Sequence, residues 1–72
     1  MSDFSYEIKE HIATLSETDK GYTTELNLIS FSGNEPKLDL RKWNRNNDTM
    51  LKGITLTDAE ALALKEALAK AI

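Results

Sequence analysis

Residues 37–43 carry cationic, acidic and aromatic side chains at alternate positions. In an extended strand Lys37, Asp39, Arg41 and Trp43 project from one face, because successive side chains point to opposite sides. Lys and Arg donate hydrogen bonds to phosphate, and an indole ring is a stacking platform for an unpaired base. The Asp39 carboxylate could accept from base amino groups or hold Arg41 in place. The alternating pattern of residues 37–43 predicts an open, basic and aromatic surface, which suits unpaired nucleic-acid strands with splayed bases better than the grooves of a duplex.

Neighbouring segments extend this surface. In the preceding apolar segment, Asn27 and Phe31 share one parity and are expected on the same open face. Residues near strand ends add further cationic, aromatic and polar groups. The predicted nucleic-acid-binding set is Lys20, Tyr22, Thr24, Asn27, Phe31, Lys37, Asp39, Arg41, Trp43 and Lys52.

The same residue types also have structural explanations. Trp43 and Phe31 are compatible with packing at the edge of the core, and Tyr22 with packing under a turn. Lys37 and Arg41 are compatible with ordinary solvated charges on an edge strand. The alternative function is a protein-interaction module that presents this face, or the C-terminal helix, to a partner polypeptide, since aromatic and charged groups serve peptides too.

Turn signals divide the chain into four strands and one helix. Period-two alternation predicts strands at about 4–15, 22–31, 37–43 and 51–56, beginning with Phe4, Tyr6 and Ile8 on one face. Polar segments that contain Gly, Pro or Asn separate the strands. Short connections favour an antiparallel meander.

The C-terminal segment predicts a helix over about 58–71. Thr57 and Glu60 fit a capping box, and the following residues are mostly Ala, Leu, Lys and Glu, which favour helix. The predicted fold class is α+β, in the order β-β-β-β-α. One helix is expected to cover one face of the sheet and to leave the other open to water or to a ligand.

The size of the chain favours a homodimer. With 72 residues there is one domain with a thin core, and with no cysteine there is no disulfide to support it. A partner subunit is the expected source of extra burial, although a tight monomeric core remains an alternative. The predicted dimer contacts are the apolar helix residues Leu62, Leu64, Leu68 and Ile72.

Charge and composition exclude several function classes. The net charge is −3, yet residues 20–52 hold six Lys and Arg against four Asp and Glu. A single histidine makes no metal site by itself, and no nucleophile elbow, P-loop or dinucleotide-binding glycine pattern occurs. We therefore expect no enzyme activity, no cofactor, no metal and no small-molecule substrate. Without a signal peptide or membrane span the protein is expected in the cytoplasm, where association with the nucleoid is compatible with DNA binding.

Three segments together resemble a known family. They are the run 36–43 with the sequence PKLDLRKW, the run 52–57 with the sequence KGITLT, and the segment 21–31, and the similarity covers roughly residues 20–68. The chain resembles the C-terminal domain of the transcriptional coactivator positive cofactor four, and more closely its small bacterial relatives, the YdbC-like proteins. The resemblance implies a curved four-stranded antiparallel sheet with a C-terminal helix that contributes to a homodimer.

The same resemblance implies a function. It implies largely sequence-independent binding of single-stranded DNA along the exposed sheet face, with a role in transcription regulation or in DNA replication and repair. Lys37, Arg41, Trp43 and Lys52 fall on the basic and aromatic binding positions of the family. Phe31 and Tyr22 fall where close relatives often carry Trp. The loop 44–51 departs from the usual acidic segment, since Arg45 replaces an acid there.

Overall fold

The fold has the predicted order of elements. The computed structural model describes residues 5–72. The strands β1 to β4 form one antiparallel sheet in sequence order, and a helix follows them. The elements are β1 (Tyr6–Glu17), β2 (Tyr22–Phe31), β3 (Lys37–Asn44), β4 (Thr49–Leu56) and α1 (Asp58–Ala71).

The predicted fold class is confirmed, with shifts at some strand ends. The bounds of β2 and α1 agree with the sequence, whereas β1 continues to Glu17 and β4 already begins at Thr49. The turn between β3 and β4 is shorter than expected because Asn44 and Thr49 still pair across it. Phe4, which the sequence placed in the first strand, lies outside the described residues.

Three β-bulges interrupt β1. Its pairing with β2 shifts at three places, where Lys9, Ile12 and Leu15 are the extra residues. The alternation that begins with Tyr6 and Ile8 therefore does not continue regularly along β1, because each bulge moves the following side chains to the other face. Bulges add twist and interrupt the row of hydrogen-bonding groups at an edge strand. This edge is thus poorly suited to pairing with another sheet.

The sheet curls until its opposite corners meet. Trp43 pairs with Thr23, eight residues from Phe31 along β2, which is roughly 26 Å of extended strand. The Tyr6 ring nevertheless lies 5.9 Å from the Trp43 ring and 6.4 Å from the Phe31 ring. We call the concave side the inner face; Ile29 and Trp43 are fully buried there.

The helix lies beside the opposite, outer face and leaves it open. Thr57 Oγ1 accepts from the Glu60 N–H at 3.1 Å, and Glu60 Oε1 accepts from the Thr57 N–H at 2.9 Å, which confirms the capping box. None of the α1 residues, all of which the structure describes, is buried. A groove of about 750 Å³ separates α1 from the sheet. It is lined by Leu26, Leu38, Leu56, Ala61, Leu62, Leu64, Lys65, Leu68, Ala69 and Ile72.

The expected division into one covered face and one open face therefore holds only in part. The face predicted to stay open closes on its own side chains, because curvature brings distant side chains together over Trp43. The face predicted to be covered by the helix keeps Ile54 exposed, and Leu62 and Leu68 of α1 are exposed as well.

Candidate nucleic-acid interface

Trp43 is the centre of the inner face and is sealed. It lies on the same face as Asp39 and Arg41, as the alternation predicted, but its exposed fraction is 0 %. The Arg45 guanidinium carbon lies 4.3 Å from the ring centroid, and the Tyr6 ring also contacts it. Among residues 5–72 no group accepts a hydrogen bond from the buried Trp43 Nε1. The prediction of an open indole is wrong, because the curl of the sheet and the loop after β3 cover the ring.

An ion pair with a buried carboxylate holds Arg45 on the indole. Arg45 Nε donates to Glu25 Oε2 at 2.8 Å, and Arg45 Nη2 donates to Glu25 Oε1 at 2.6 Å. The Glu25 side chain is only 4 % exposed. Hydrogen bonds from Arg45, and then from Thr23 and Asn27, lower the pKa of Glu25 to about 2 although burial alone would raise it. Glu25 in turn raises the pKa of Arg45 above its ordinary value.

The strength of this pair decides whether Arg45 can move. Separating Arg45 from Glu25 would leave a buried carboxylate uncompensated, at a cost of about 3–5 kcal/mol. Stacking one base on an aromatic ring returns only about 1–3 kcal/mol. Exposing Trp43 to a base by moving Arg45 is therefore unfavourable.

A second buried pair occupies Arg41. Its Nε and Nη2 donate to the two carboxylate oxygens of Asp39 at 2.5 and 2.6 Å, and its Nη1 donates to the Leu51 carbonyl at 3.1 Å. Thr55 Oγ1 donates to Asp39 Oδ2 at 2.9 Å. Asp39 is fully buried and the Arg41 side chain is 13 % exposed. Of the two predicted roles for Asp39, the one in which it holds Arg41 in place is confirmed. The other, contact with base edges, is wrong in this structure because Asp39 has no surface accessible to water.

Asn27 also has a structural role. It is fully buried, and its Nδ2 donates to Glu25 Oε1 at 3.3 Å. Its Oδ1 therefore faces His11, whose Nδ1 donates to it at 2.6 Å, while His11 Nε2 is hydrogen-bonded to Thr14 Oγ1 at 3.2 Å. The predicted contact between Asn27 and bases is wrong here, because both ends of the amide are already engaged inside the protein.

The accessible aromatic and cationic groups lie where β1, β2 and β3 meet. Phe31 is half-buried, Tyr6 is 38 % exposed and Lys37 is exposed. Arg41 lies 5.8 Å from the Phe31 ring centroid. We call Tyr6, Phe31, Lys37 and Arg41 the rim cluster. Sequence reasoning placed Tyr6 in the sheet but missed it as a candidate site residue; its shared parity with the first-strand apolar residues was the only signal.

Other predicted residues lie on the outer side of the sheet. Thr24 alternates with the inner-face residue Glu25 and accepts from Lys42 Nζ at 3.1 Å. Thr24, Lys42 and Lys52 line a shallow groove of about 400 Å³. Tyr22 shares the parity of Thr24 and is exposed. The prediction of one continuous surface for all ten residues is wrong, because strand alternation and the bulge in β4 divide them between two faces.

Lys20 lies at a junction of two turns beside Arg45. Asn46 Nδ2 donates to the Lys20 carbonyl at 2.7 Å, and the Arg45 N–H donates to the Gly21 carbonyl at 2.8 Å. Gly21 has a φ of 87°, and a Cβ there would lie 2.7 Å from the Asn46 side chain. This glycine therefore permits both the turn and the close contact.

Two features are absent from the described part of the chain. Residues 5–72 contain no group of three or more His, Cys, Asp and Glu side chains that could hold a metal ion. Across the same residues, no helix has the length and apolar character needed to traverse a membrane.

Comparison with known proteins agrees with the fold and with the resemblance. Residues 18–67 match the family model described as transcriptional coactivator p15 (PC4). A protein of Treponema pallidum (strain Nichols), described as uncharacterized, is 42 % identical over 66 residues, which is 92 % of this chain and 78 % of that protein. The chain belongs to the transcriptional coactivator p15 (PC4) family, a non-enzymatic family with a nucleic-acid-binding, coactivator-type role.

Proposed function

We propose that this protein is a homodimer that binds single-stranded nucleic acid, DNA in preference to RNA, with little sequence preference and without catalysis. The rim cluster carries the proposal. Tyr6 and Phe31 present accessible ring surface 6.4 Å apart, next to the exposed amine of Lys37. Rings beside cations stack on bases and neutralise phosphates, whatever the sequence. In the cell, such binding serves transcription regulation or DNA replication and repair.

Phosphate contacts come from lysines that have no acidic partner. Within residues 5–72, no carboxylate lies within 4.0 Å of the amines of Lys20, Lys37 and Lys52. Arg41 and Arg45 are already neutralised by Asp39 and Glu25. The affinity therefore depends on peripheral lysines and on ring stacking more than on the buried arginines.

The groove between α1 and the sheet supports the proposed homodimer. The helix has no buried residues, and the predicted contacts Leu62, Leu64, Leu68 and Ile72 all line the groove. Among residues 5–72 only Ile29, Trp43 and Leu56 are buried apolar residues, which is a small core for a chain of 72 residues. A second copy that inserts its own helix leucines supplies the missing apolar surface on both sides of the interface.

Titration with a labelled strand tests the nucleic-acid proposal. We expect fluorescence anisotropy to show tighter binding of oligo-dT than of the matched RNA strand or DNA duplex. Lys37→Gln should reduce the slope of log K against log salt by about 0.7. The matched control is Lys9→Gln, since Lys9 is already paired with Glu7 at 3.1 Å and should leave the slope unchanged. No binding of oligo-dT at low salt would refute the proposal.

Light scattering tests the dimer. We expect twice the chain mass for the wild type and the monomer mass for Leu64→Lys combined with Leu68→Lys. The matched control is Ala67→Lys, an exposed helix position outside the groove, which should leave the dimer intact. A wild-type monomer at high concentration would contradict this part. It would instead favour the alternative in which the groove receives a different polypeptide.

A further inference from the structure

Arg45 presents a flat, fixed and partly exposed guanidinium group. One of its faces covers the Trp43 ring at 4.3 Å, and its side chain is 31 % exposed. Three of its N–H groups point at carboxylate oxygens, two at Glu25 and one at Asp48 at 3.2 Å. Since arginine has five N–H donors, two remain for a ligand in the plane of the group.

The charge environment argues against a phosphate ligand at Arg45. Glu25 and Asp48 both lie within 4.0 Å of the guanidinium, so its positive charge is already compensated. What remains is a delocalised planar surface with two in-plane donors. Nucleobases stack on arginine planes as they do on aromatic rings, and base carbonyl groups accept from such donors.

Arg45 is also held against displacement. Moving it away would leave Glu25 buried without its main partner, and this costs more than a base gains by reaching Trp43. A base approaching this part of the protein therefore meets the outer face of Arg45 and not the indole.

A phosphate-binding group lies close by. The turn that carries Lys20 is joined to the Arg45 turn by the Asn46–Lys20 and Arg45–Gly21 hydrogen bonds. Lys20 is exposed, and among residues 5–72 its amine has no carboxylate partner. A stacking plane and a cation on two joined turns are the two elements that one nucleotide requires.

We propose that Arg45 and Lys20 form a nucleotide subsite, in which an unpaired base stacks on the outer face of the Arg45 guanidinium and its phosphate contacts Lys20. Trp43 supports Arg45 from beneath and does not touch the nucleic acid. This subsite rests on the proposed single-strand binding. It adds a second contact point to the rim cluster, at the opposite end of the strand pair, where β2 begins and β3 ends.

The test compares a strand with bases and an abasic strand of the same length. Arg45→Lys keeps the charge but loses the plane, so affinity for oligo-dT should fall about 5- to 100-fold while affinity for the abasic strand stays the same. The salt slope of Arg45→Lys should match that of the wild type. Lys20→Gln should lower the affinity for both strands and reduce the slope of log K against log salt by about 0.7.

A second measurement uses the wild type, in case Arg45→Lys loses its fold. The Arg45 Nε–Hε resonance should shift on addition of oligo-dT, through the ring current of the stacked base, and should not shift with the abasic strand. Equal binding of oligo-dT by wild type and folded Arg45→Lys would refute the subsite and leave single-strand binding standing. Tighter binding by Arg45→Ala with quenched Trp43 emission would show that Arg45 is a lid, which also refutes the subsite. Failure of the wild type to bind either strand would refute the proposed function itself.

Discussion

Replacing Glu25 by Gln should remove the part of the acid-range pH dependence of stability that comes from the Glu25–Arg45 pair. Glu25 has an ordinary pKa of 4.5 that Arg45 and its other partners lower to about 2 in the folded chain. At about 1.4 kcal/mol for each tenfold change, this difference corresponds to about 3 kcal/mol of unfolding free energy. Because the pKa is lower in the folded state, this stability is present above pH 4.5 and is lost as the pH falls towards about 2.

Urea unfolding followed by circular dichroism measures the effect. Glu25→Gln should be about 3 kcal/mol less stable than the wild type at pH 7, and the two should converge near pH 2. The protein concentration must be constant, because the proposed dimerisation would add to apparent stability. The control is Glu7→Gln, whose side chain is 70 % exposed in its ion pair with Lys9 and should have little effect. Parallel pH profiles for wild type and Glu25→Gln would refute the reasoning.

Three further predictions concern the stability of the fold. Gly53→Ala places a Cβ 1.9 Å from the Arg41 Cβ and should lower the free energy of unfolding by about 3 kcal/mol or more in chemical denaturation. Gly33→Ala has nothing within 4 Å of the new Cβ and should lower it by only about 1 kcal/mol, because of the positive φ. Equal losses for the two variants would contradict the close approach at Gly53. Trp43→Ala should lower the free energy of unfolding by about 3–5 kcal/mol, so a variant of wild-type stability with selectively weaker DNA binding would contradict the buried role. Thr57→Ala should cost about 1 kcal/mol through loss of the capping box, and an unchanged melting temperature would contradict that contribution.

The sequence predicts the elements of this fold well because local signals determine them. Alternation gives β2 and most of β3, and the Thr57–Glu60 capping box fixes the start of α1. The position of Trp43 on the face of Asp39 and Arg41 also follows from alternation. These properties depend on residues near one another in the chain, so a pattern of period two or a cap is sufficient to indicate them.

The exposure of the candidate site depends on contacts that no local pattern contains. Trp43 is buried because Tyr6 reaches it from the far corner of a curled sheet and because Arg45 folds back onto it. The curl in turn depends on bulges in β1, which appear only when the register with β2 is known. Glu25 gave one usable signal, since an acidic residue with inner-face parity in a central strand requires a basic partner.

Two ion pairs with buried carboxylates explain how an acidic protein can have a basic-looking segment at β3 and the following loop. Asp39 fixes Arg41 within the sheet and Glu25 fixes Arg45 over the inner face, so these cations stabilise and shape that face and contribute little positive potential outside it. The cations that remain for phosphate are lysines at turns and strand ends, spread over both sides of the sheet. Under the proposed function, a single strand would follow planar groups, namely the Tyr6 and Phe31 rings and the Arg45 guanidinium, because few free charges are available to direct it. Rigid planar groups lose little conformational entropy on binding, and stacking on them is tolerant of sequence.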